Sequence, residues 1–419
     1  MIEVETDILV VGGGAAGMSA ALAASSYSGA TVTLVDNNAK LGGQIWRDEL
    51  GQSKSAEARS FIKAIETKRI RIFNDAQVFA APTNTSVLAE TSRGTARFEY
   101  NKLILATGAR ERFLPFPGWT LPGVFGAGGL QALVKGGFDV AGKRIVVAGS
   151  GPLLLVVAEY LKSKGAKVIA VAEQAPASRI NRFAIGLWRS PAKLAQALWL
   201  RMKLFGVSYL TDTWVTDVRS LGSGRSNGPI IVTFNRHGKK WQVEGDYLAC
   251  GFDLVPNNEL ASLIGCKIEN SFVSVDEFQR TTCENVFCAG EPTGIGGVAA
   301  SLVEGTIAGL CSVDATDAAR MSFATRDRSQ RFAAQLTRTF ALRDELRSLA
   351  NDNTIVCRCE DVDFGRLREF DSWRAAKLQT RCGMGPCQGR ICGAAAQFLF
   401  DWKIGPARPP IFPIKLENL

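Results

Sequence analysis

The late part of the chain contains four cysteines whose spacing could bind a metal centre. Cys357 and Cys359 form a C-x-C pair, and Cys382 and Cys387 form a C-x4-C pair after 22 intervening residues. Four thiolates brought together in this way can hold an iron–sulfur cluster or a structural zinc ion. Zinc sites usually have pairs separated by two to four residues, a pattern that the C-x-C pair fits poorly. The spacing favours an iron–sulfur centre and leaves zinc as the alternative.

The residues around these cysteines suit a negatively charged cluster. Arg358, Arg381 and Arg390 add positive charge close to the thiolates in sequence, and a cluster bound by four thiolates needs such compensation. Gly383 and Gly385 allow the backbone to wrap closely around a bound group. We therefore expect a compact, cation-rich cysteine segment.

One helix should contribute backbone donors to this site. Pro386 suits a first helical turn, so we expect a helix to begin beside Cys387 and to direct its N–H groups at the cluster. Cys392 could face the same site, but we interpret it as a small buried hydrophobic residue. The same interpretation applies to Cys250, Cys266, Cys283, Cys288 and Cys311.

The N-terminal segment carries a glycine pattern that binds dinucleotide phosphates. An apolar strand over residues 7–11 runs directly into G-G-G-A-A-G at 12–17, and a helix of small residues follows. Gly12 permits the tight turn, Gly14 lets the backbone approach a pyrophosphate, and Gly17 lets the helix pack closely on the strand. The next strand ends at Asp36, where a carboxylate can bind a ribose diol. This order of elements predicts a dinucleotide site.

A second unit of the same kind follows in the middle of the chain. A strand over 144–148 enters G-S-G-P-L-L at 149–154, and a later strand over 167–172 ends at Glu173. Leu154 replaces the third glycine, so we expect looser helix–strand packing and an altered phosphate pocket. The unit is either an NAD(H) site or a structural remnant without ligand, and NAD(H) is a doubtful cofactor. The residues that would contact a nucleotide here are Gly149, Gly151, Pro152 and Glu173.

Bulk composition describes a globular protein of several domains. The chain has 419 residues, more than the roughly 250 to 300 that one core supports, with 46% apolar and 21% charged residues. The longest apolar runs, such as 145–157, contain glycine and proline and are too short to span a bilayer. We therefore expect neither disorder nor an integral membrane protein.

Charge and cysteine distribution predict the compartment and the kinds of partner. The net charge is +9, but lysines and arginines look scattered, so we interpret it as a mildly basic surface that binds no nucleic acid. That surface could receive an acidic partner or an anionic substrate. No cysteine precedes Cys250, and Glu3 and Glu5 stand where a signal peptide would be basic. We expect the cytoplasm, where clustered cysteines bind metals or do redox chemistry more often than they form disulfides.

Further segments resemble a known architecture. Leu-Gly-Gly-Gln follows at 41–44, Ala-Thr-Gly at 106–108 and Ala-Cys-Gly at 249–251, and a strand over 286–289 enters Gly-Glu. With the two glycine loops, these segments resemble the α/β two-dinucleotide-binding-domain flavoproteins of the glutathione-reductase-like type. The resemblance implies FAD, with Glu291 on its ribityl chain and a helix from Gly297 aimed at the isoalloxazine. The residues expected to bind FAD are Gly12, Gly14, Ala15, Ala16, Gly17, Asp36, Asn37, Gly42, Gly43, Gln44, Val78, Thr107, Gly108, Gly290, Glu291, Gly297 and Val298.

A disulfide reductase of this architecture is disfavoured. Such enzymes need a cysteine pair near the flavin, yet Cys283 and Cys288 flank the strand that enters the late flavin segment. The single histidine, His237, lies in a predicted hairpin turn over 235–239. Because no acid–base group set for amine oxidation is apparent, we expect substrate chemistry on a partner subunit.

Motifs along nearly the whole chain resemble one group of proteins. They are A-T-G-A-R-E-R at 106–112, P-G-W at 117–119, P-G-V at 122–124, G-S-G-P-L-L at 149–154 and C-G-M-G-P-C-Q-G-R at 382–390. They resemble the larger subunits of heteromeric hydroxyproline dehydrogenases, opine oxidases, archaeal-type proline dehydrogenases and hydrogen cyanide synthase. This resemblance implies a second, catalytic flavoprotein subunit, FMN at a subunit interface and a small ferredoxin-like subunit. The cysteine segment itself resembles the helical [2Fe–2S] domain of bacterioferritin-associated ferredoxin, with Cys357, Cys359, Cys382 and Cys387 as ligands.

These observations predict an organisation and a function. We expect a discontinuous FAD domain over 1–115 and 250–315, an inserted dinucleotide-like domain over 116–249, a helical connector over 316–349, and a [2Fe–2S] domain with its tail over 350–419. The Pro-rich tail over 406–413 should lie along a neighbour. The hypothesis is an electron-transferring subunit of a dehydrogenase for an imino or secondary amino acid. W-R-A-A-K-L at 373–378 most resembles the hydroxyproline branch, which implies cis-4-hydroxy-D-proline. The alternatives are an NADH-dependent reductase and a structural subunit that holds ATP or nothing.

Overall fold

The protein forms a mixed α/β structure in a computed structural model that describes residues 1–27, 29–46, 56–68, 70–222 and 228–418. The strands are β1 (Ile2–Val11), β2 (Val32–Val35), β3 (Ile70–Phe73), β4 (Gln77–Thr83), β5 (Ser86–Thr91), β6 (Gly94–Leu105), β7 (Ala109–Glu111), β8 (Val124–Gly126), β9 (Arg144–Ser150), β10 (Lys167–Glu173), β11 (Ser208–Leu210), β12 (Trp214–Ser220), β13 (Ile230–Arg236), β14 (Lys239–Gly245), β15 (Tyr247–Phe252), β16 (Leu254–Pro256), β17 (Ile268–Glu269), β18 (Phe272–Val273), β19 (Val286–Cys288), β20 (Ile355–Cys357) and β21 (Val362–Asp363).

The helices connect these strands and cover the faces of the sheets. They are α1 (Ala15–Tyr27), α2 (Ala56–Thr67), α3 (Ala127–Lys135), α4 (Leu153–Ser163), α5 (Ala177–Gly186), α6 (Pro191–Lys203), α7 (Glu259–Ile264), α8 (Gly297–Ser312), α9 (Thr316–Arg320), α10 (Phe323–Thr339), α11 (Phe364–Leu367), α12 (Trp373–Thr380) and α13 (Cys392–Phe400). Short 3-10 helices cover Leu187–Arg189, Asp344–Ser348 and Leu416–Asn418. None of the described helices is both long and apolar enough to cross a bilayer.

The chain divides into two compact units, each assembled from separate stretches. The first contains Met1–Arg110, Val255–Ala334 and Pro406–Leu419, and the second contains Glu111–Leu254 and Gln335–Gly405. The predicted boundaries remain predictions, and the contacts divide the chain at other residues. In particular, the predicted connector is shared between the units, and the cysteine segment belongs with the inserted dinucleotide-like fold.

The first unit is built on one sheet in the order β3-β2-β1-β6-β5-β4, with β19 also paired to β6. The strands around β1 are parallel and those from β6 to β4 are antiparallel. Helix α8 packs on α1 because Gly305 and Gly309, four residues apart, lie on one side of the helix. A Cβ at either position would overlap the backbone carbonyl of Ala16 or Ala20. The small residues of both helices therefore fix a close contact beside the first glycine loop.

The second unit contains a parallel sheet and a smaller antiparallel one. The parallel sheet has the order β11-β10-β9-β15-β8, and the antiparallel sheet has the order β12-β13-β14. The predicted turn over 235–239 is confirmed, since β13 and β14 pair from Arg236 and Lys239 outward with His237 and Gly238 at positive φ. Buried β9 presents apolar side chains to both faces, as parallel strands covered by helices do.

The Pro-rich tail packs on its own chain rather than on a neighbour, which corrects the prediction. Ile411 is buried, and its backbone N–H donates to the carbonyl oxygen of Phe79 at 2.8 Å. Asn418 donates from Nδ2 to the carboxylate of Glu90 at 2.7 Å. The apolar character of the tail is explained because Ile411 fills the core of the first unit together with Val87.

Candidate functional sites

The first glycine loop has the backbone geometry that its spacing predicted. Gly12 has a φ of 112°, and a Cβ there would overlap the carbonyl oxygen of Ala106. A Cβ at Gly17 would overlap the carbonyl oxygen of Gly12, so α1 lies directly against the end of β1. Gly14 faces open space, and its nearest neighbour in that direction is the Cα of Gly43 at 3.9 Å. A ligand backbone of phosphates can therefore approach the loop at Gly14 and the N-terminus of α1.

Asp36 holds this loop from the end of β2. Its side chain is buried and accepts hydrogen bonds from the backbone N–H groups of Gly13 and Asn38, the latter at 2.7 Å. Asn37, the next residue, is exposed. The carboxylate therefore braces the loop, and the position beside it is open to a ribose.

The second glycine pair forms the other wall of this site. The N–H of Gly42 donates to the carbonyl oxygen of Gly13 at 2.9 Å. Gly42 and Gly43 have φ values of 117° and 58°, which favour glycine at both positions. Gln44 is exposed beside them. The predicted close approach of this segment is therefore present, and it is directed at Gly14.

The Ala-Thr-Gly segment is fixed by a residue that the sequence did not reveal. Thr107 donates from Oγ1 to the carbonyl oxygen of Asn257 at 2.5 Å, and Asn257 Nδ2 donates to the carbonyl oxygen of Thr107 at 3.0 Å. The Asn257 N–H also donates to the carbonyl oxygen of Gly108 at 2.9 Å. Asn257 is 150 residues from Thr107, so no local pattern could have indicated it.

The late glycine segment closes onto the first loop. A Cβ at Gly290 would lie 2.9 Å from the Cβ of Ala16, which places this segment against α1. Glu291 accepts a hydrogen bond from the N–H of Gly297 at 2.9 Å, at the start of α8. Val298 packs against the same core. The structure thus joins these late residues to the first loop in a single cradle.

Glu304 is a second residue that sequence analysis missed. It is buried in α8 and accepts hydrogen bonds from the N–H of Gly290 at 3.0 Å and from Thr293 Oγ1 at 3.1 Å. Burial raises the pKa of this carboxyl group. A signal was present, because Glu304 is the only charged residue in the sequence of α8.

Val78 lies differently from the other predicted flavin residues. Its side chain is buried in an apolar cluster with Val35 and Val11, so only its backbone could meet a nucleotide. Its contact with FAD stays a prediction. The remaining cradle, with its glycine-lined opening and a buried carboxylate at the end of β2, fits the diphosphate and ribose of FAD.

The second glycine loop has similar turns but a different surrounding. Gly149 and Gly151 have φ values of 141° and 97°. Leu154 is buried, and a Cβ at Gly251 would lie 3.3 Å from its Cδ2 atom. A leucine is tolerated at the third glycine position because a glycine stands opposite it on β15.

The acid of this second loop is completely enclosed. Glu173 has no exposed surface and accepts hydrogen bonds from the N–H groups of Gly151 at 2.7 Å and Ala175 at 2.8 Å. Burial raises the pKa of Glu173 to about 7. This environment is unlike that of a carboxylate offered to a ribose.

A segment from the C-terminal half covers the same loop. Gln174 is fully buried, and its Nε2 donates to Ser150 Oγ at 2.9 Å and to the carbonyl oxygen of Ala341 at 3.2 Å. Ser150 donates to the carbonyl oxygen of Phe340 at 2.7 Å. The N–H of Arg343 donates to Gln174 Oε1 at 3.2 Å. In the first unit the position equivalent to Gln174 is the exposed Asn37, so the chain itself fills the space that a nucleotide would use.

Three buried thiols form the centre of the cysteine site. The Sγ atoms of Cys357, Cys382 and Cys392 all lie within 4.8 Å of one another. Hydrogen bonds from the Cys382 and Cys392 thiols lower the pKa of Cys357 to about 2, and the bond to Cys357 raises the pKa of Cys382 to about 12. The group therefore holds one thiolate readily and resists further ionisation, unless a cation replaces the protons.

The other two predicted ligands lie beside this centre. Cys387 is partly buried, and hydrogen bonding, chiefly from the Cys392 thiol, lowers the pKa of Cys387 to about 5. Cys359 is exposed. A Cβ at Gly385 would overlap the Cβ of Cys359, so the predicted close wrap of the backbone is present. The site thus offers five thiols, and Cys392, interpreted from sequence as a core residue, is one of its central members.

The predicted helix beside Cys387 is wrong in its position. Residues 383–391 form turns, and α13 begins only at Cys392. The reason is local, because Gln388 and Gly389 have φ values of 50° and 81°, which end any helical path. The N-terminal helix donors therefore lie at Cys392 rather than at Cys387.

The three arginines of the segment make other contacts. Arg381 pairs with Glu360 at 2.8 Å, and Arg390 donates to the carbonyl oxygen of Cys387 at 3.4 Å. The Arg358 guanidinium lies 5.8 Å from the centre of the Trp119 ring. They add positive charge near the site without bonding to its sulfur atoms in these contacts.

Comparison with known proteins agrees with this architecture. Residues 6–306 match the model of the pyridine nucleotide-disulphide oxidoreductase family. The chain belongs to this family. It is also 32% identical to an opine oxidase subunit of Rhizobium meliloti, over 99% of this chain and 87% of that protein. Hydrogen cyanide synthase subunit HcnB of Pseudomonas aeruginosa is 29% identical over 92% of this chain and 90% of its own length.

Solved structures share the fold. L-proline dehydrogenase from P. horikoshii superposes with a TM-score of 0.68 at 19% identity, over 100% of this chain and 80% of that one. Thioredoxin reductase from T. acidophilum gives a TM-score of 0.57 at 21% identity, over 74% of this chain and 99% of that one. The glutathione-reductase-like α/β architecture is thereby confirmed, while the [2Fe–2S] nature of the cysteine segment stays a prediction.

The family assignment settles the general class of the protein. The resemblance to subunits of opine oxidase and hydrogen cyanide synthase is confirmed, and the chain is an FAD-dependent oxidoreductase whose relatives are components of larger enzymes. The family name includes disulphide chemistry. However, the described cysteines of the first unit lie on β19 or after α7, away in sequence from the glycine loops.

Proposed function

We propose that this chain is the electron-transferring FAD and iron–sulfur subunit of a heteromeric dehydrogenase acting on a CH–NH group. Oxidation of an imino or secondary amino acid takes place on a partner flavoprotein subunit. The complex further contains FMN at the interface and a small ferredoxin-like subunit. The observation that carries the proposal is the buried group of Cys357, Cys382 and Cys392 on the same chain as an FAD-type cradle.

The first unit supplies the flavin site in this proposal. FAD exchanges two electrons, and a [2Fe–2S] centre passes them on singly. The opening at Gly14 and the N-terminus of α1 hold the diphosphate, and the carboxylate of Asp36 lies beside the ribose. Asn257 and Glu304 hold the two loops that close the cradle. None of these residues is placed to exchange protons with a substrate, which supports substrate oxidation on another subunit.

The second unit supplies the cluster ligands. Cys357, Cys382 and Cys392 are the central ones, and Cys387 completes the set because its thiol is hydrogen bonded to Cys392. Cys359, predicted as a ligand from the C-x-C spacing, is the exposed fifth thiol. Four buried or half-buried sulfurs suit a thiophilic centre whose charge must be shielded from water.

Iron and acid-labile sulfide assays, with EPR of the anaerobically reduced protein, test the cluster. We expect two irons and two sulfides for each chain, as a [2Fe–2S] centre requires. Cys392→Ser and Cys382→Ser should both lose the signal, whereas Cys250→Ser, at a buried cysteine of β15, should keep it. Stoichiometric zinc in place of iron would defeat the proposal, and loss in Cys359→Ser with retention in Cys392→Ser would restore the predicted ligand set.

The substrate class follows from the relatives. Opine oxidase and L-proline dehydrogenase both carry names of secondary-amine substrates, and 373–378 resembles the hydroxyproline branch. We therefore propose cis-4-hydroxy-D-proline. Purification of the intact complex from its native source, followed by dye reduction with proline, hydroxyproline isomers and opines, tests this. Equal activity with every hydroxyproline isomer, or activity with opines alone, would contradict it.

An NADH-dependent reductase is the second candidate. Rhodocoxin reductase of Rhodococcus erythropolis is 33% identical over 58% of this chain and 50% of its own length. The enclosed Glu173 and the covering segment at Phe340 argue against it. Anaerobic addition of NADH separates the two, because the reductase predicts prompt bleaching of the flavin and our proposal predicts none.

A further inference from the structure

A ridge of large apolar side chains projects from the second unit. It is formed by α5, the short 3-10 helix after it and α6. Its side chains are between 44% and 87% exposed, although all are of types that are usually buried. The members of this apolar ridge are Ile185, Trp188, Leu198, Trp199, Met202 and Phe205.

The ridge is a defined face and not a loosely packed helix. Leu198, Met202 and Phe205 follow the i, i+4, i+7 spacing of one helix side. On the other side Leu200 and Leu204 are buried, and they anchor the helix. The apolar outer stripe is therefore presented by a helix whose inner side already has its own core.

The charge around the ridge has one sign. No aspartate or glutamate occurs between Glu173 and Asp212, while six lysines and arginines do. Four of these cations are Arg179, Arg182, Lys193 and Arg201, and the others are Arg189 and Lys203. This stretch alone contributes six of the nine net positive charges of the chain.

A further cation stands at the most exposed end of the ridge. The Nζ atom of Lys162 donates to the carbonyl oxygens of Phe205 at 2.9 Å and Lys203 at 3.0 Å. The Nζ atom of Lys203 also lies 5.6 Å from the centre of the Trp199 ring. Positive charge therefore accompanies the apolar tip instead of being distributed elsewhere on the helix.

We propose that the apolar ridge binds the surface of a negatively charged membrane. Interfacial helices combine tryptophan, phenylalanine and leucine with lysine and arginine, and they lie in the bilayer surface without crossing it. Tryptophan is favoured at that depth because its ring is apolar and its N–H is polar. A cationic, acid-free rim is complementary to an anionic lipid leaflet.

A protein partner fits the same features less well. Protein interfaces are depleted in lysine at their centre and generally mix both charge signs. The ridge has no acidic residue in its stretch, and its tip, Phe205, is 87% exposed at the end of a helix. A projecting apolar tip suits insertion between lipid headgroups. This inference does not depend on the proposed dehydrogenase function, because it uses none of the flavin or cysteine residues.

Co-sedimentation of the full chain with vesicles tests the proposal. Vesicles of phosphatidylcholine alone are compared with an equimolar mixture of phosphatidylcholine and phosphatidylglycerol. We expect binding to the mixture, weak binding to phosphatidylcholine, and a loss of binding as salt rises, because surface attraction is screened by ions. Lipids brominated in their acyl chains should also quench tryptophan fluorescence, and Trp188→Phe with Trp199→Phe should remove most of that quenching.

Two matched pairs of variants locate the contact. The triple variant Leu198→Ser, Met202→Ser, Phe205→Ser should bind at least about tenfold more weakly, while Met321→Ser with Leu416→Ser, at exposed apolar sites elsewhere, should bind normally. Arg201→Gln with Lys203→Gln should weaken binding by about fivefold for each cation removed. Lys239→Gln with Lys240→Gln, in the β13–β14 hairpin, is its control. Flavin content and melting temperature verify that each variant is folded.

Three outcomes would overturn the proposal. These are no sedimentation with anionic vesicles at low salt, equal binding to both vesicle types, and equal losses in the ridge variants and their controls. In the first case, protection of the ridge in the purified heteromeric complex would identify another protein of that complex as its occupant.

Discussion

Single glycines determine how closely the elements of the flavin unit approach one another. A Cβ at Gly17 would overlap the carbonyl oxygen of Gly12, whereas a Cβ at Gly29 meets nothing within 4 Å. We expect Gly17→Ala to lower stability by about 3 kcal/mol, as overpacking does, and to release FAD. Gly29→Ala should match the wild type. Flavin absorbance after gel filtration and thermal melting measure both effects, and a fully loaded, equally stable Gly17→Ala protein would contradict the assigned contact.

The enclosed carboxyl group of Glu173 makes stability depend on pH. Burial raises the pKa of Glu173 from 4.5 to about 7 in the folded protein. The stabilisation from its protonated form is therefore complete below pH 4.5 and is lost as pH rises through about 7. We expect the wild type to lose melting temperature relative to Glu173→Gln over this range, because the amide does not titrate. Glu66→Gln, at an exposed acid of α2, is the control, and a Tm difference constant with pH would contradict the prediction.

At the scale of elements, the segment after α10 acts as a built-in cover for the second glycine loop. Gln174 joins the loop to this segment through four protein groups, two of which are Phe340 and Arg343. Because a net hydrogen bond contributes about 1 kcal/mol, Gln174→Ala should loosen the segment and speed tryptic cleavage at Arg338 or Arg343 by about tenfold. Gln196→Ala, at an exposed position of α6, should leave cleavage unchanged. Equal cleavage rates in the two variants would mean that the segment is held by other contacts.

At the scale of the whole molecule, the chain returns to its first unit after completing the second. Residues 406–418 lie with the first unit, and Ile411 is buried there. Ile411→Ala should cost about 2 to 4 kcal/mol, as removal of a buried isoleucine side chain does, and should lower the temperature of flavin release. The iron content of the second unit should stay unchanged. Leu416→Ala, at an 85% exposed residue, is the control, and a loss of iron together with flavin would contradict this division of the chain.

Several features were accessible from the sequence because they depend on neighbouring residues. The turns at Gly12 and Gly149 follow from the strand that precedes each glycine and the helix that follows it. The hairpin at His237 follows from a short polar stretch between two apolar ones. The late strand over 286–288 leading into Gly290 was equally visible. Strand period and positive φ are local properties, so a short window of sequence contains them.

The distribution of charge shows where the sequence was visible but its meaning was not. The acid-free stretch from 174 to 211 could have been counted at once. Its leucines and tryptophans, however, have the composition of an ordinary core helix. Only the fold shows that Leu200 points inward while Leu198 points outward, since a helix places these neighbours on different sides.

The sequence by itself determined the two glycine loops, the acids that follow them and the presence of a thiol-rich end. Only the tertiary structure decided that Cys392 joins Cys357 and Cys382, that Phe340 covers the second loop, and that Asn257 holds Thr107. The physical reason is separation along the chain. Local patterns restrict the conformation of a segment, but contacts between residues tens to hundreds of positions apart form only when whole elements pack together.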